Sequence, residues 1–414
     1  MSKTVSKGQG NMLTIMAAIF EVVIILPLLG TISYSVLMAL IILLGFLMFP
    51  DVISSKPFKY MFLFVGVEFV YAIWGKGLPY RMLVYYSLQF FAAIFISSRL
   101  RYLSKNQINF LFILLLGLMS FTLIVTYYAL LTNNMIIRSN AYGADEVTDV
   151  GRSFGVYSYG LGEALAIFLP TLTAFALFSK HRLLQVVCFI LVGAGLLTQF
   201  MAALATSALL SAFFCALVVL SHLVSKQRHK DVIISAIIVV VLVALFLLSS
   251  RIGENLAFSV KMEDVTTSYS TGSSVGQVES RGALYLQSLK VCLHNPILGL
   301  GEPPAEFGKY SDNTVSMHTC VLDYWGMYGL FAVLLLLSWK GTISQNFQLL
   351  NGKRKIYRWA LFSLFFLLLL KGPVTINLNF VFSTLILSIV FLKDYNDSSE
   401  THNSNVLQKN SYLG

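Results

Sequence analysis

The chain has 414 residues, of which 57% are hydrophobic and 12% charged, and its mean hydropathy is +0.76. A soluble domain carries about 25% charged residues, so this composition excludes a soluble globule and implies a surface that faces lipid. The net charge of +10 would point to nucleic acid on a soluble protein; here most Lys and Arg stand in short connectors between apolar runs, which is a topology signal, and no nucleic-acid partner is expected.

A helix that crosses a bilayer needs roughly 20 mostly apolar residues. The first five expected spans are 12–29, 33–49, 58–74, 82–97 and 108–131. Lys3 and Lys7 precede the first run. That run has no small-residue cleavage site and leads at once into the next, so it is expected to stay as a span. Lys56 and Lys59, then Arg99, Arg101 and Lys105, fill alternate connectors. Placing these inside puts the N-terminus in the cytoplasm. Segment 132–159 then lies outside. It is far longer than the usual connection of about 2–8 residues between bundled helices, and it carries Arg138 and Arg152.

Four more spans follow, at 160–178, 184–203, 205–224 and 232–249. The middle two are nearly continuous, broken only by Thr198-Gln199 and Thr206-Ser207. A second long outer segment, 250–318, carries Arg251 and Arg281. Within it, 268–274 reads SYSTGSS, a flexible stretch. Residues 280–294 then read as an amphipathic helix capped by Ser280 and ended by Pro296, Gly299 and Gly301. The last spans are 319–338, 357–370 and 377–392, separated by Lys340, Lys353, Arg354, Lys355 and Arg358. The polar tail 393–414 is expected to be cytoplasmic and disordered. The fold expected is therefore an all-α polytopic membrane protein. It has one transmembrane domain, 1–392, about twelve transmembrane helices, two extracytoplasmic loops at 132–159 and 250–318, and both termini in the cytoplasm.

Ionisable groups within spans are costly and are functional candidates. Glu21 sits near mid-depth and reads as a group that holds the bundle together. Glu68, Glu163 and Asp323 fall in outer halves of their spans. For Glu163 and Asp323, beside the long loops, packing and function stay open alternatives. Arginine is always charged and grips phosphate oxygens in a fork, so several outer arginines over a membrane cavity would suit a lipid-linked phosphate. Only His294 and His318 lie outside. His294, followed by Asn-Pro, reads as a helix end, whereas His318 stands where the loop re-enters the membrane, and histidine is the natural general base near neutral pH. Trp325, seven residues on, would share a helical face with His318 and line the cavity, or else belong to an interfacial belt; Asp323 would lie roughly 140° round the same helix. Cys188 and Cys215 read as packed thiols; Cys292 and Cys320 flank the outer segment and could pair, though nothing in their spacing demands it. The chain has no P-loop, Rossmann fingerprint, HExxH or DxD-type pair, and neither a metal nor a cofactor is expected.

Several of these residues form a pattern. Ser280-Arg281 opens a helix, and Asn295-Pro296-Ile297-Leu298-Gly299-Leu300-Gly301 follows. His318 then precedes Asp323, Gly326 and Gly329, which lead into a span. Gly151-Arg152-Ser153-Phe154-Gly155 stands ahead of the sixth span. Together these resemble the signature segments of the bacterial O-antigen polymerase/O-antigen ligase superfamily, and the span count and long outer loops agree. One departure is Ala208 after Ser207, where the family commonly has arginine; a phosphate-binding arginine is then either missing or supplied by Arg138 or Arg251. The resemblance implies a bacterial inner-membrane glycosyltransferase of the multi-span class, working on the periplasmic side with a polyprenyl-diphosphate-linked glycan as donor. Arg281 and Arg152 would hold the donor diphosphate and His318 would be the base. Asp323, Glu163, Trp325, Arg138 and Arg251 would be supporting residues. The implied partners are donor and acceptor glycans, the lipid bilayer, and polysaccharide-assembly proteins such as a flippase and a chain-length regulator. The reaction expected is polymerisation of repeat units of a surface polysaccharide (O-antigen or capsule). The runner-up is ligation of the finished glycan to lipid A core. A different class, a transporter or flippase of a lipid-linked or anionic solute, would show paired broken helices in matching halves. Pro27 and Pro170 do not stand in corresponding positions.

Overall fold

The computed structural model describes residues 6–26, 31–76, 80–132, 136–137, 160–202, 204–225, 277–301, 315, 319–370 and 376–411. Every regular element among them is helical. In chain order these are α1 (Lys7–Ile25), α2 (Thr31–Met48), α3 (Lys56–Ile73), α4 (Tyr80–Arg99), α5 (Lys105–Thr132), α6 (Gly160–Phe178), α7 (Arg182–Met201) and α8 (Ala205–Ser225). They continue with α9 (Gln277–His294), α10 (Cys320–Tyr328), α11 (Ala332–Phe347), α12 (Arg354–Leu370) and α13 (Ile376–Ser411). Short 3-10 turns at Pro50–Val52, Leu100–Tyr102, Gly329–Phe331 and Gln348–Lys353 lie between them.

Among the described residues, 7 helical stretches are long and apolar enough to cross a membrane: those of α1, α4, α5, α6, α7 and α8, and the run Cys320–Leu350. The sequence leads one to expect about twelve. The expected runs at α2, α3, α12 and α13 are helical, but α2 is short, and Lys56, Lys59 and Glu68 dilute α3. Arg354, Lys355 and Arg358 occupy part of the 17 residues of α12. The expected ninth span, 232–249, lies outside the described residues, as do most of the loops 132–159 and 250–318. The last helix runs beyond the expected end of its span at 392, as far as Ser411. Lys393 and Asp397 pair across one turn there at 2.6 Å, a spacing that favours continued helix.

The core centres on α6, which packs against α7, α8, α12 and α13. Its sequence, GLGEALAIFLPTLTAFALF, is rich in small residues, which let helices approach closely without the help of a hydrophobic effect. A Cβ added at Gly162 would sit 2.6 Å from Leu204 Cδ1, so a larger residue there would have to displace that leucine side chain. Pro170 lies within α6 and has no N–H to give the carbonyl of Ala166. Ser363 of α12 supplies the missing donor, its hydroxyl reaching Ala166 O at 2.6 Å. The defect is thus repaired by a neighbour, as it must be where no water is present.

A second layer joins α2, α3, α4 and α11. The Phe95 ring fills the space a Gly45 side chain would need, with Phe95 Cζ 2.5 Å from the would-be Cβ. Ser338 donates to Pro57 O at 2.7 Å and Asn346 to Ser97 O at 3.1 Å. One end of the bundle is pinned by charge. Arg99 reaches Asp51 at 3.0 Å, and Lys353 reaches Asp394 at 2.5 Å while standing 4.8 Å from the Phe178 ring centre. Burial pushes the Asp394 carboxyl above its ordinary value, with Lys353 acting in the opposite direction.

Candidate functional site

Of the sequence pattern from Arg281 to Gly329, the described parts 281–301 and 319–329 form one interlocked unit. Helix α10 is only nine residues long, so its unpaired amides and carbonyls are a large share of its backbone. The glycine loop satisfies the C-terminal end, and α9 bears on the N-terminal end. At the C-terminal end the glycine loop closes onto the last carbonyls: Leu300 N donates to Gly326 O at 2.8 Å and Gly301 N to Met327 O at 2.9 Å. In return Leu330 N donates to Ile297 O at 3.0 Å. Backbone meets backbone here, and side chains would block the approach. A Cβ on Gly299 would overlap the Met327 carbonyl, and one on Gly329 would overlap that of Ile297. Gly299 (φ 71), Gly301 (φ 84) and Gly329 (φ 58) also take left-handed backbone, which glycine tolerates best. The two glycine elements are therefore one structural device, split in sequence.

At the N-terminal end of α10, Asp323 accepts the Thr319 amide at 2.8 Å through Oδ2. Its other oxygen accepts the hydroxyl of Ser288, from α9, at 2.5 Å. Asp323 is fully buried and clamps α9 to the start of α10. One turn further along α9, Cys292 Sγ donates to Leu322 O at 3.0 Å. The same face of α9 therefore bears on α10 over a full turn. Arg281 lies seven residues before Ser288 in this helix, about 20° away in register, so its position belongs to that face; its side chain lies outside the described residues.

Glu163 stands in the first turn of α6, buried, and accepts from Asn379 Nδ2 of α13 at 2.6 Å. Asp323 and Glu163 both lie within electrostatic reach of the Cys320 thiol. The structure thus brings two of the expected supporting residues to one region, around the start of α10. Trp325 is not with them. It is 36% exposed, and its indole N–H donates to Pro296 O at 3.0 Å. The expected shared helical face with His318 also lapses, because α10 begins at Cys320 and Thr319 is extended (φ -135, ψ 112). His318, Arg152, Arg138 and Arg251 lie outside the described residues.

All four cysteines are free. Cys292 and Cys320 are buried, and Cys292 is engaged with a carbonyl. Burial, with Asp323 nearby, pushes the Cys292 thiol up to about 11. Glu21 is completely buried in α1, with neither oxygen hydrogen-bonded among the described residues. The polar break between α7 and α8 has a role of its own: Gln199 donates to Gly162 O at 2.9 Å, tying the end of α7 to the start of α6.

Three residues of this region escape a reading of the sequence. Ser288 is an ordinary helix serine until Asp323 is opposite it. Asn379 carries a weak signal, a polar side chain inside an apolar run. Tyr71, whose hydroxyl donates to Leu298 O, gives none, since the partners are 227 residues apart.

Residues 194–337 match a family model described as O-antigen ligase. The match begins within α7 and ends within α11, so it takes in the whole interlocked unit. No curated protein matches the chain.

Proposed function

We propose, from the match of residues 194–337 to a family model described as O-antigen ligase, that this chain is a glycosyltransferase that polymerises lipid-linked repeat units of a surface polysaccharide. The donor is a glycan on a polyprenyl diphosphate. An acceptor hydroxyl on the next unit attacks the anomeric carbon, the bond from that carbon to the diphosphate oxygen breaks, and the diphosphate leaves on its lipid. Arg281 and Arg152 neutralise the leaving group, an electrostatic task that needs no metal. His318 takes the proton from the acceptor hydroxyl. The chain lies in the bacterial inner membrane with both termini in the cytoplasm and the site facing the periplasm.

The observation that carries this reading is the clamp at Asp323. It ties the helix that bears Arg281 to Thr319, the residue that directly follows His318. The clamp supports the reading because a base and a leaving-group binder must be held close to one another, and the residues it joins are neighbours of those proposed for the two roles. A second reading, ligation of a finished glycan to lipid A core, is favoured by the description of the matching family model. Incubation of the purified protein with a polyprenyl-diphosphate oligosaccharide separates the two. A ladder of products on a gel supports polymerisation. Transfer to a lipid A core acceptor without any ladder supports ligation, and unaltered substrate under both conditions removes both.

A further inference from the structure

Helix α9 has a second face that the site does not use. Ser288, Val291 and Cys292 are its buried side, turned to α10. On the opposite side Leu286, Leu289 and Leu293 fall within about 60° of one another, and all three are exposed, Leu293 at 68%. Ile297 and Leu298 carry the apolar surface into the following turn, each 62% exposed. Lys290 flanks this stripe in register and is exposed.

The height of this stripe relative to the bundle is fixed at both ends. Tyr285, near the start of α9, donates to Leu370 O at the end of α12 at 3.2 Å. Just past its end, the Leu298 carbonyl accepts from Tyr71 near the end of α3. Helix α9 therefore lies across the ends of two helices of the bundle. Trp74, 68% exposed, stands beside Tyr71 with ring centroids 6.1 Å apart. An exposed indole at a helix end suits the bilayer interface.

We infer that α9 is an interfacial helix whose Leu286–Leu289–Leu293 stripe is immersed in the outer leaflet of the bilayer. The occupant of the stripe is lipid. An amphipathic helix at this height, with a flanking lysine for headgroup phosphates, has the composition of a segment that lies in the interface plane. On the proposed glycosyl-transfer reading, on which this consequence rests, the immersion sets the depth of Arg281 on the other side of the same helix. A lipid-linked diphosphate travels at headgroup depth, so a helix floated by its leucines presents its arginine position at that level.

The test uses the full chain in nanodiscs and reads position rather than activity. Single cysteines replace Leu289, Leu293, Gln287 or His294 and carry a small fluorophore; the four native thiols are buried and stay unlabelled. Labels at 289 and 293 should be quenched several-fold more by brominated lipids than labels at 287 and 294, with aqueous iodide giving the reverse order. Equal iodide quenching at all four positions would overturn the inference. So would shielding of 289 and 293 from both quenchers, which would mark a protein partner on the stripe. Quenching requires no turnover, so a chain with a lipid-immersed stripe and no transferase activity would reject the proposed function alone.

Discussion

At the scale of single residues, the buried carboxylate of Asp323 holds two donors, and removing it leaves both without an acceptor. Asp323→Ala should cost about 1–3 kcal/mol for each stranded buried donor, lowering the thermal midpoint of the detergent-solubilised protein. Asp323→Asn keeps one acceptor oxygen and should fall between the two; an unchanged midpoint in both would deny the clamp. His318 and Arg281 should separate by kinetics. His318→Ala should slow transfer by a factor on the order of 10²–10⁴ while donor binding survives. Arg281→Ala should weaken binding as well, and Arg281→Lys should rescue it incompletely, because an ammonium lacks the fork geometry. Parent-rate transfer by a well-folded His318→Ala protein removes that residue from the mechanism. Cys292 gives a pH-dependent check. Its folded value near 11 against an ordinary value of 9.0 favours the neutral thiol. Its contribution to stability is therefore complete below the unfolded value and is lost as pH rises through the folded one. Alkylation of the native protein by N-ethylmaleimide should be negligible at pH 7 and rise towards pH 11, whereas the denatured chain reacts at all four thiols. A Cys292–Cys320 crosslink on a non-reducing gel would contradict the free thiols found here.

Single elements show how this sequence tolerates local defects. Proline in α6 frees the Ala166 carbonyl, and a serine of α12 occupies it. The two residues should therefore be coupled. Ser363→Ala alone strands a buried carbonyl, at a cost of about 1–3 kcal/mol. In a Pro170→Ala background residue 170 regains its amide and satisfies that carbonyl within the helix, so the same serine substitution should cost much less. A double-mutant cycle on thermal unfolding measures this coupling, and strictly additive effects would show that the hydroxyl is not the substitute donor. The expected tenth span illustrates a different point. It is continuous by hydropathy, yet it divides at Gly329 into α10 and α11. The close approach of Ile297 to Gly329 and the left-handed backbone there impose the break.

For the whole molecule, the proposed sidedness follows from the basic connectors. The residues assigned to the cytoplasm meet at one end of the bundle, where Arg99 pairs with Asp51, Gln107 donates to Asn11 at 3.0 Å and Lys353 pairs with Asp394. Alkaline phosphatase fused within 268–274 should be active, and fusions after Lys353 should be inactive. The reverse pattern would invert the topology and place the interlocked unit on the cytoplasmic face.

The helical membrane class is legible in the sequence because hydropathy is a property of local runs: a lipid environment demands helices, and the runs of α1, α4, α5, α6, α7 and α8 are long and apolar without reference to anything else. The glycines of 295–301 and 326–329 are legible as a motif for the same reason, since their spacing is local. Their purpose is not, because a left-handed glycine has meaning only against the carbonyl it approaches, and Ile297 and Gly329 meet only when the chain turns back on itself. The same holds for Asp323. By register it stood off the face assigned to His318; the tertiary fold ended the helix at Cys320, extended Thr319 and set Ser288 opposite, making the carboxylate a clamp. Amphipathicity announced α9, but only its docking across the ends of α3 and α12 decided which face meets protein and which is left for lipid, since a helical stripe carries direction around an axis and the sequence does not record where that axis lies.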